Sequence, residues 1–99
     1  MEARILVICR DKDIRQTIVR LLDGHQDWKV QGVATDAEAI ELFSLSKFHV
    51  VLLGSGVDDH QAAVLSREFR GINPAAKIVK HYGGGSGLLF GEIYDALRK

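Results

Sequence analysis

The sequence predicts an α/β domain: a four-stranded parallel sheet in the order 2-1-3-4, with helices on both faces. Three observations carry that prediction. Ile5-Leu6-Val7-Ile8 and Val50-Val51-Leu52-Leu53 are apolar without alternation, as strands covered on both sides are. Helix-start pairs follow the strands: Asp13 with Gln16, Thr35 with Glu38, and an acid at Asp58 or Asp59. Strand and helix then alternate four times, and right-handed crossovers lay such strands parallel beneath helices on either side.

Arg4–Cys9 is the first strand. In the helix after it Ile14, Ile18, Leu21 and Leu22 share a face, and Gly24 closes it. Trp28–Ala34 alternates weakly and reads as a more exposed strand. Ala39, Ile40 and Phe43 form the apolar face of the second helix. Lys47–Leu53 is the central strand, which stops on Gly54 with Gly56 close behind. Ala62, Leu65 and Phe69 line the third helix, which Gly71 and Pro74 end. Ala76–Tyr82 is the fourth strand, followed by Gly83-Gly84-Gly85-Ser86-Gly87 and a last helix. The strand order switches direction between strands one and three, so a site belongs at the carboxyl edge beside Gly54.

The chain of 99 residues bounds a single domain, residues 1–99, with one core. Thirteen basic residues cancel thirteen acidic ones, which argues against nucleic acid or an anionic membrane as the partner. A single cysteine excludes an internal disulfide and suits a reducing compartment. No apolar run reaches membrane-spanning length, and Met-Glu-Ala-Arg does not open a signal peptide, so the expectation is a cytoplasmic chain.

Ile5-Leu6-Val7-Ile8-Cys9-Arg10-Asp11-Lys12-Asp13-Ile14-Arg15 resembles the opening of a response-regulator receiver domain, CheY-like in a flavodoxin-like fold. Ala39-Ile40-Glu41-Leu42 and Phe48-His49-Val50-Val51-Leu52-Leu53 continue the resemblance through the third strand. It implies two adjacent carboxylates holding magnesium at the end of strand one, and a phosphoryl-accepting aspartate at the end of strand three. The matching positions here are Cys9, Arg10 and Gly54; Asp11 alone survives nearby. Magnesium needs hard oxygen ligands, whereas cysteine is soft, arginine is a fixed cation and glycine carries no nucleophile. Lys80 stands where the family's last strand carries a lysine, and one strand–helix unit of the family is missing. The resemblance therefore implies a degenerate receiver-like signalling or interaction module that is not an enzyme and uses no metal or cofactor.

Three further features carry expectations of their own. Gly83, Gly84, Gly85, Ser86 and Gly87 join a strand to a helix, where bare amides and a Ser86 cap could hold an anion and make the chain a ligand sensor; the stretch lacks the lysine of a P-loop. Cys9 and Arg15 have the spacing of a phosphatase loop and resemble the phosphocysteine site of sugar-phosphotransferase IIB domains, an enzymatic alternative. Against it, Asp11 and Asp13 repel phosphate, and Arg15 is expected to face outward. The four histidines show no metal-ligand spacing. Leu88, Leu89, Phe90, Ile93, Tyr94, Ala96 and Leu97 exceed one helical stripe, leaving Phe90 and Tyr94 in water. With Ile78, Val79 and Tyr82 on an edge strand, this surface predicts a homodimer through strand four and the last helix.

Overall fold

The computed structural model describes residues 2–81 and 85–98, and of residues 85 and 86 the backbone alone. The elements are β1 (Ala3–Ile8), α1 (Lys12–Asp23), β2 (Trp28–Val33), α2 (Asp36–Leu45), β3 (Val50–Leu53), α3 (Asp59–Ile72), β4 (Lys77–Lys80) and α4 (Gly85–Arg98). All strand pairs are parallel and the order is β2-β1-β3-β4. Ile5 lies opposite Val50 and Ile8 opposite Leu53; on the other side of β3, Val50 meets Lys77 and Leu53 meets Lys80.

The unbroken apolar runs occupy the two central strands. Ile5–Ile8 and Val50–Leu53 are all buried, and the strand period of two sends them to opposite faces. Ile5, Val7, Val50 and Leu52 join Ile18, Leu22, Leu89 and Ile93 under α1 and α4. Leu6, Ile8, Val51 and Leu53 join Phe43, Leu65 and Phe69 under α2 and α3. Complete burial of each such side chain stabilises the fold by about 1.5–3 kcal/mol.

Caps explain where the helices begin. The α1 cap is Asp11, not Asp13: β1 ends at Ile8, Asp11 is extended, and its carboxylate accepts from the Ile14 N–H at 2.9 Å. Asp13 falls in the first turn, where its charge still favours the helix dipole. Thr35 caps α2 through the Glu38 N–H, but Glu38 answers to the threonine hydroxyl, so only half of a capping box forms. Asp58 and Gln61 complete the reciprocal box at α3. That helix runs through Gly71 to Ile72 and stops at Asn73, whose extended backbone is what a following Pro74 imposes.

The two sheet edges are built differently. At β2 the Val30 N–H donates to Asp23 Oδ1 at 3.3 Å. A Cβ on Gly32 would come within 2.7 Å of Val19 Cγ2, so glycine is what lets α1 lie close to that strand. At β4 no strand of the described residues lies beyond.

Candidate functional site

Beyond Ile8 the chain crosses the carboxyl edge of the sheet as Cys9-Arg10-Asp11. The Cys9 N–H donates to Val33 O at 3.1 Å, Arg10 N–H to Ser55 O at 2.8 Å and Gly54 N–H to Ile8 O at 2.7 Å. The backbone thus already ties the ends of β1, β2 and β3 together. Cys9 is fully buried, and its thiol donates to Asp11 O at 3.5 Å. A Cβ on Gly54 would lie 3.3 Å from Cys9 Cβ and 3.5 Å from Sγ, so the cysteine occupies the space toward which a side chain at 54 would project.

Arg10 is the principal side chain of this edge. Nη1 donates to Ala34 O at 2.7 Å and Nη2 to Asp36 Oδ1 at 2.5 Å. Its stem lies over Gly56, the one described residue with positive φ (87°), where a Cβ would meet Arg10 Cγ at 2.4 Å and Cβ at 2.6 Å. One arginine therefore spans the turns after β1, β2 and β3. The guanidinium suits this task because its rigid fork serves a carbonyl and a carboxylate at once, which a lysine ammonium does with less order.

Arg15 corrects an expectation. It does not face outward: its stem runs along Gly32 and Nη1 donates to Cys9 O at 2.8 Å. Lys80 ends β4 level with Leu53, and its ammonium pairs with Asp59 in the first turn of α3. Cys9, Arg10, Asp11, Gly54 and Lys80 thus do gather at one sheet edge, but as thiol, guanidinium, helix cap, bare backbone and ion-paired cation. Among the described residues no group of three or more histidines, cysteines or carboxylates is arranged to hold a metal ion. The one acid at the end of β1, Asp11, is engaged by α1, so the residues present do not fit magnesium.

Of the glycine stretch, Gly83 and Gly84 lie outside the described residues, as does Tyr82. The helix already includes Gly85, so Ser86 and Gly87 belong to its first turn and Ser86 is not its N-cap. Three histidines have structural partners. His49 Nδ1 accepts from the Arg4 N–H at 2.9 Å, His81 Nδ1 pairs with Glu92, and His25 Nε2 lies 2.9 Å from Tyr94 Oη.

The surface expected to dimerise is also partly used within the chain. Ile78 packs toward α2 and α3, Val79 toward α1 and α4. Phe90 and Tyr94 are not left in water together: Phe90 stacks 5.7 Å from Trp28, Tyr94 lies 5.2 Å from it, and His25 stacks on its ring at 4.0 Å. Phe90 is half-buried, while Tyr94 remains 47% exposed. Among the described residues nothing beyond its own helix lies within 4 Å of where a Cβ on Gly91 would stand. Asp36 escaped the sequence reading, and Gly56, seen there only as a glycine following the central strand, was not recognised as a partner of Arg10.

No protein-family model matches the sequence, and no curated protein matches it significantly. Solved structures do. A two-component response regulator from Clostridium difficile superposes with a TM-score of 0.78 at 17% identity, over 99% of this chain and 98% of that one. A LuxR family DNA-binding response regulator from Silicibacter pomeroyi gives 0.60 at 18%, over 97% and 70%. A protein described as pilus assembly-related from Burkholderia pseudomallei gives 0.63 at 18%, over 97% and 71%. Four parallel strands ordered 2-1-3-4, alternating with four helices, give this chain the CheY-like, flavodoxin-like fold of response-regulator receiver domains.

Proposed function

We propose that the chain is a phosphorylation-incompetent, receiver-like signalling module that is not an enzyme and works by presenting a fixed surface to protein partners, a second copy of itself among them. The observation that supports this reading is Arg10. Phosphorylation switches a protein by adding charge that draws neighbouring segments to it. Here a permanent charge already joins Ala34 and Asp36 after β2 to the turn at Gly56, with no acceptor beside it. The buried Cys9 thiol, turned into its own loop, speaks against a phosphocysteine enzyme, since a nucleophilic thiolate needs access and a charged surrounding.

Beryllofluoride, a phosphoryl mimic, tests the reading when added with Mg²⁺ while amide resonances are followed. The expected result is no saturable shift at residues 9–11 or 54–56. Saturable, Mg²⁺-dependent shifts confined to those residues would show a working acceptor site and overturn it.

A further inference from the structure

We infer that β4 is a pairing edge whose occupant is β4 of a second copy, antiparallel across a two-fold axis perpendicular to the sheet. This rests on the dimer reading above and gives it a geometry: one continuous sheet of two four-stranded halves.

The first support is the contrast between edges. At the β2 edge the outward Val30 N–H is already taken by Asp23 Oδ1. At β4 the N–H groups of Lys77 and His81 donate to His49 O and Leu53 O, each at 2.9 Å. Strand alternation then turns the N–H and C=O of Ile78 to the outer side. With Ile78 on the axis, Ile78 of each copy faces its counterpart as a hydrogen-bonded antiparallel pair, exchanging both bonds. The faces also match, because Lys77 then lies opposite Val79 of the other copy, both on the α4 side.

The second support is shape. Along this edge runs a groove of about 440 Å³ between the end of α3 and the side of α4, lined by Arg70, Pro74, Ile78, Val79, Glu92 and Ala96 among others. A strand entering it is covered from both sides and must be apolar on both faces. β4 presents one apolar residue to each layer at its centre, Ile78 to one and Val79 to the other, flanked by Lys77 and Lys80 whose long stems reach water. A peptide with one wet face does not. The groove carries both signs of charge, Arg70 and Lys77 beside Glu92 and Asp95, with Glu92 already paired with His81 and Asp95 beside Arg98. It therefore holds no excess of one sign that would select an oppositely charged peptide over a copy of itself.

Light scattering across a concentration series, on the full chain, reads the result. Of the backbone bonds Ile78→Pro removes only the outward N–H and keeps those to β3, although it also loses the Ile78 side chain packed toward α2 and α3, and proline is tolerated at an edge. It is expected to weaken dimerisation about tenfold or more. Ile78→Cys, placed on the axis, is expected to form a disulfide dimer under mild oxidation, since Cys9 is buried. A wild-type chain that stays monomeric at every concentration sinks the dimer reading and this inference with it. A wild-type dimer that persists in folded Ile78→Pro, or that gives no Ile78→Cys disulfide, overturns the edge pairing and leaves the dimer reading standing. Should Ile78→Pro fail to fold, the disulfide alone decides.

Discussion

Gly56→Ala lowers the stability of the domain by about 2–5 kcal/mol. Two causes add. Gly56 has φ 87°, and an L-residue in the left-handed region costs about 1–2 kcal/mol. The new methyl also meets Arg10 at its Cγ (2.4 Å) and Cβ (2.6 Å), the root of the side chain and not its mobile end. To make room Arg10 must leave its place, loosening bonds that, screened by solvent at this partly exposed pair, are together worth about 1–3 kcal/mol. For a chain of this size the melting temperature falls by about 10 °C or more. Gly71→Ala is the control: among the described residues nothing lies within 4 Å of a Cβ there, its φ is not positive, and in the last turn of α3 replacing a glycine by alanine stabilises by up to about 1 kcal/mol.

Arg10→Ala is expected to cost about 1–3 kcal/mol. The pair with Asp36 is partly exposed, 27% and 41% for the two side chains, so solvent screening reduces its worth and added salt reduces it further. The bond to Ala34 O and the stem packed over Gly56 are less affected by salt. Hydrogen exchange gives the sharper readout. Loss of Arg10 is expected to speed exchange at residues 34–36 and 55–57 together, although these segments are separate in sequence. Acceleration limited to residues 10–12 would mean that Arg10 serves its own turn only. Arg10→Lys recovers little, because an ammonium lacks the planar fork that reaches carbonyl and carboxylate at once.

The sheet was legible because its evidence is local. Val50–Leu53 lacks alternation, and a strand buried on both faces needs none. Asp58 and Gln61 announce α3 through a bond spanning three residues. Asp13 misled for an instructive reason: two acids separated by one residue can both open α1, and only the end of β1 selects Asp11. Long side chains were harder. Arg15 belongs to a helix surface by its position, yet its reach carries the guanidinium back to Cys9 O. Phe90 and Tyr94 looked surplus on α4 because their partners, His25 and Trp28, precede them by more than sixty positions. The site was half visible: the replacement of carboxylates by Cys9, Arg10 and Gly54 can be read along the chain. The closure of that edge by Arg10 depends on Asp36, 26 residues away, and on the backbone of Gly56.

The most direct test is the intact mass of the chain after incubation with acetyl phosphate, with and without Mg²⁺. With thiol, guanidinium and bare glycine in place of metal ligands and acceptor, no phosphoryl adduct forms under either condition. A stoichiometric adduct that requires Mg²⁺ would contradict that expectation. An adduct without Mg²⁺ that disappears in Cys9→Ser would contradict it in favour of cysteine chemistry.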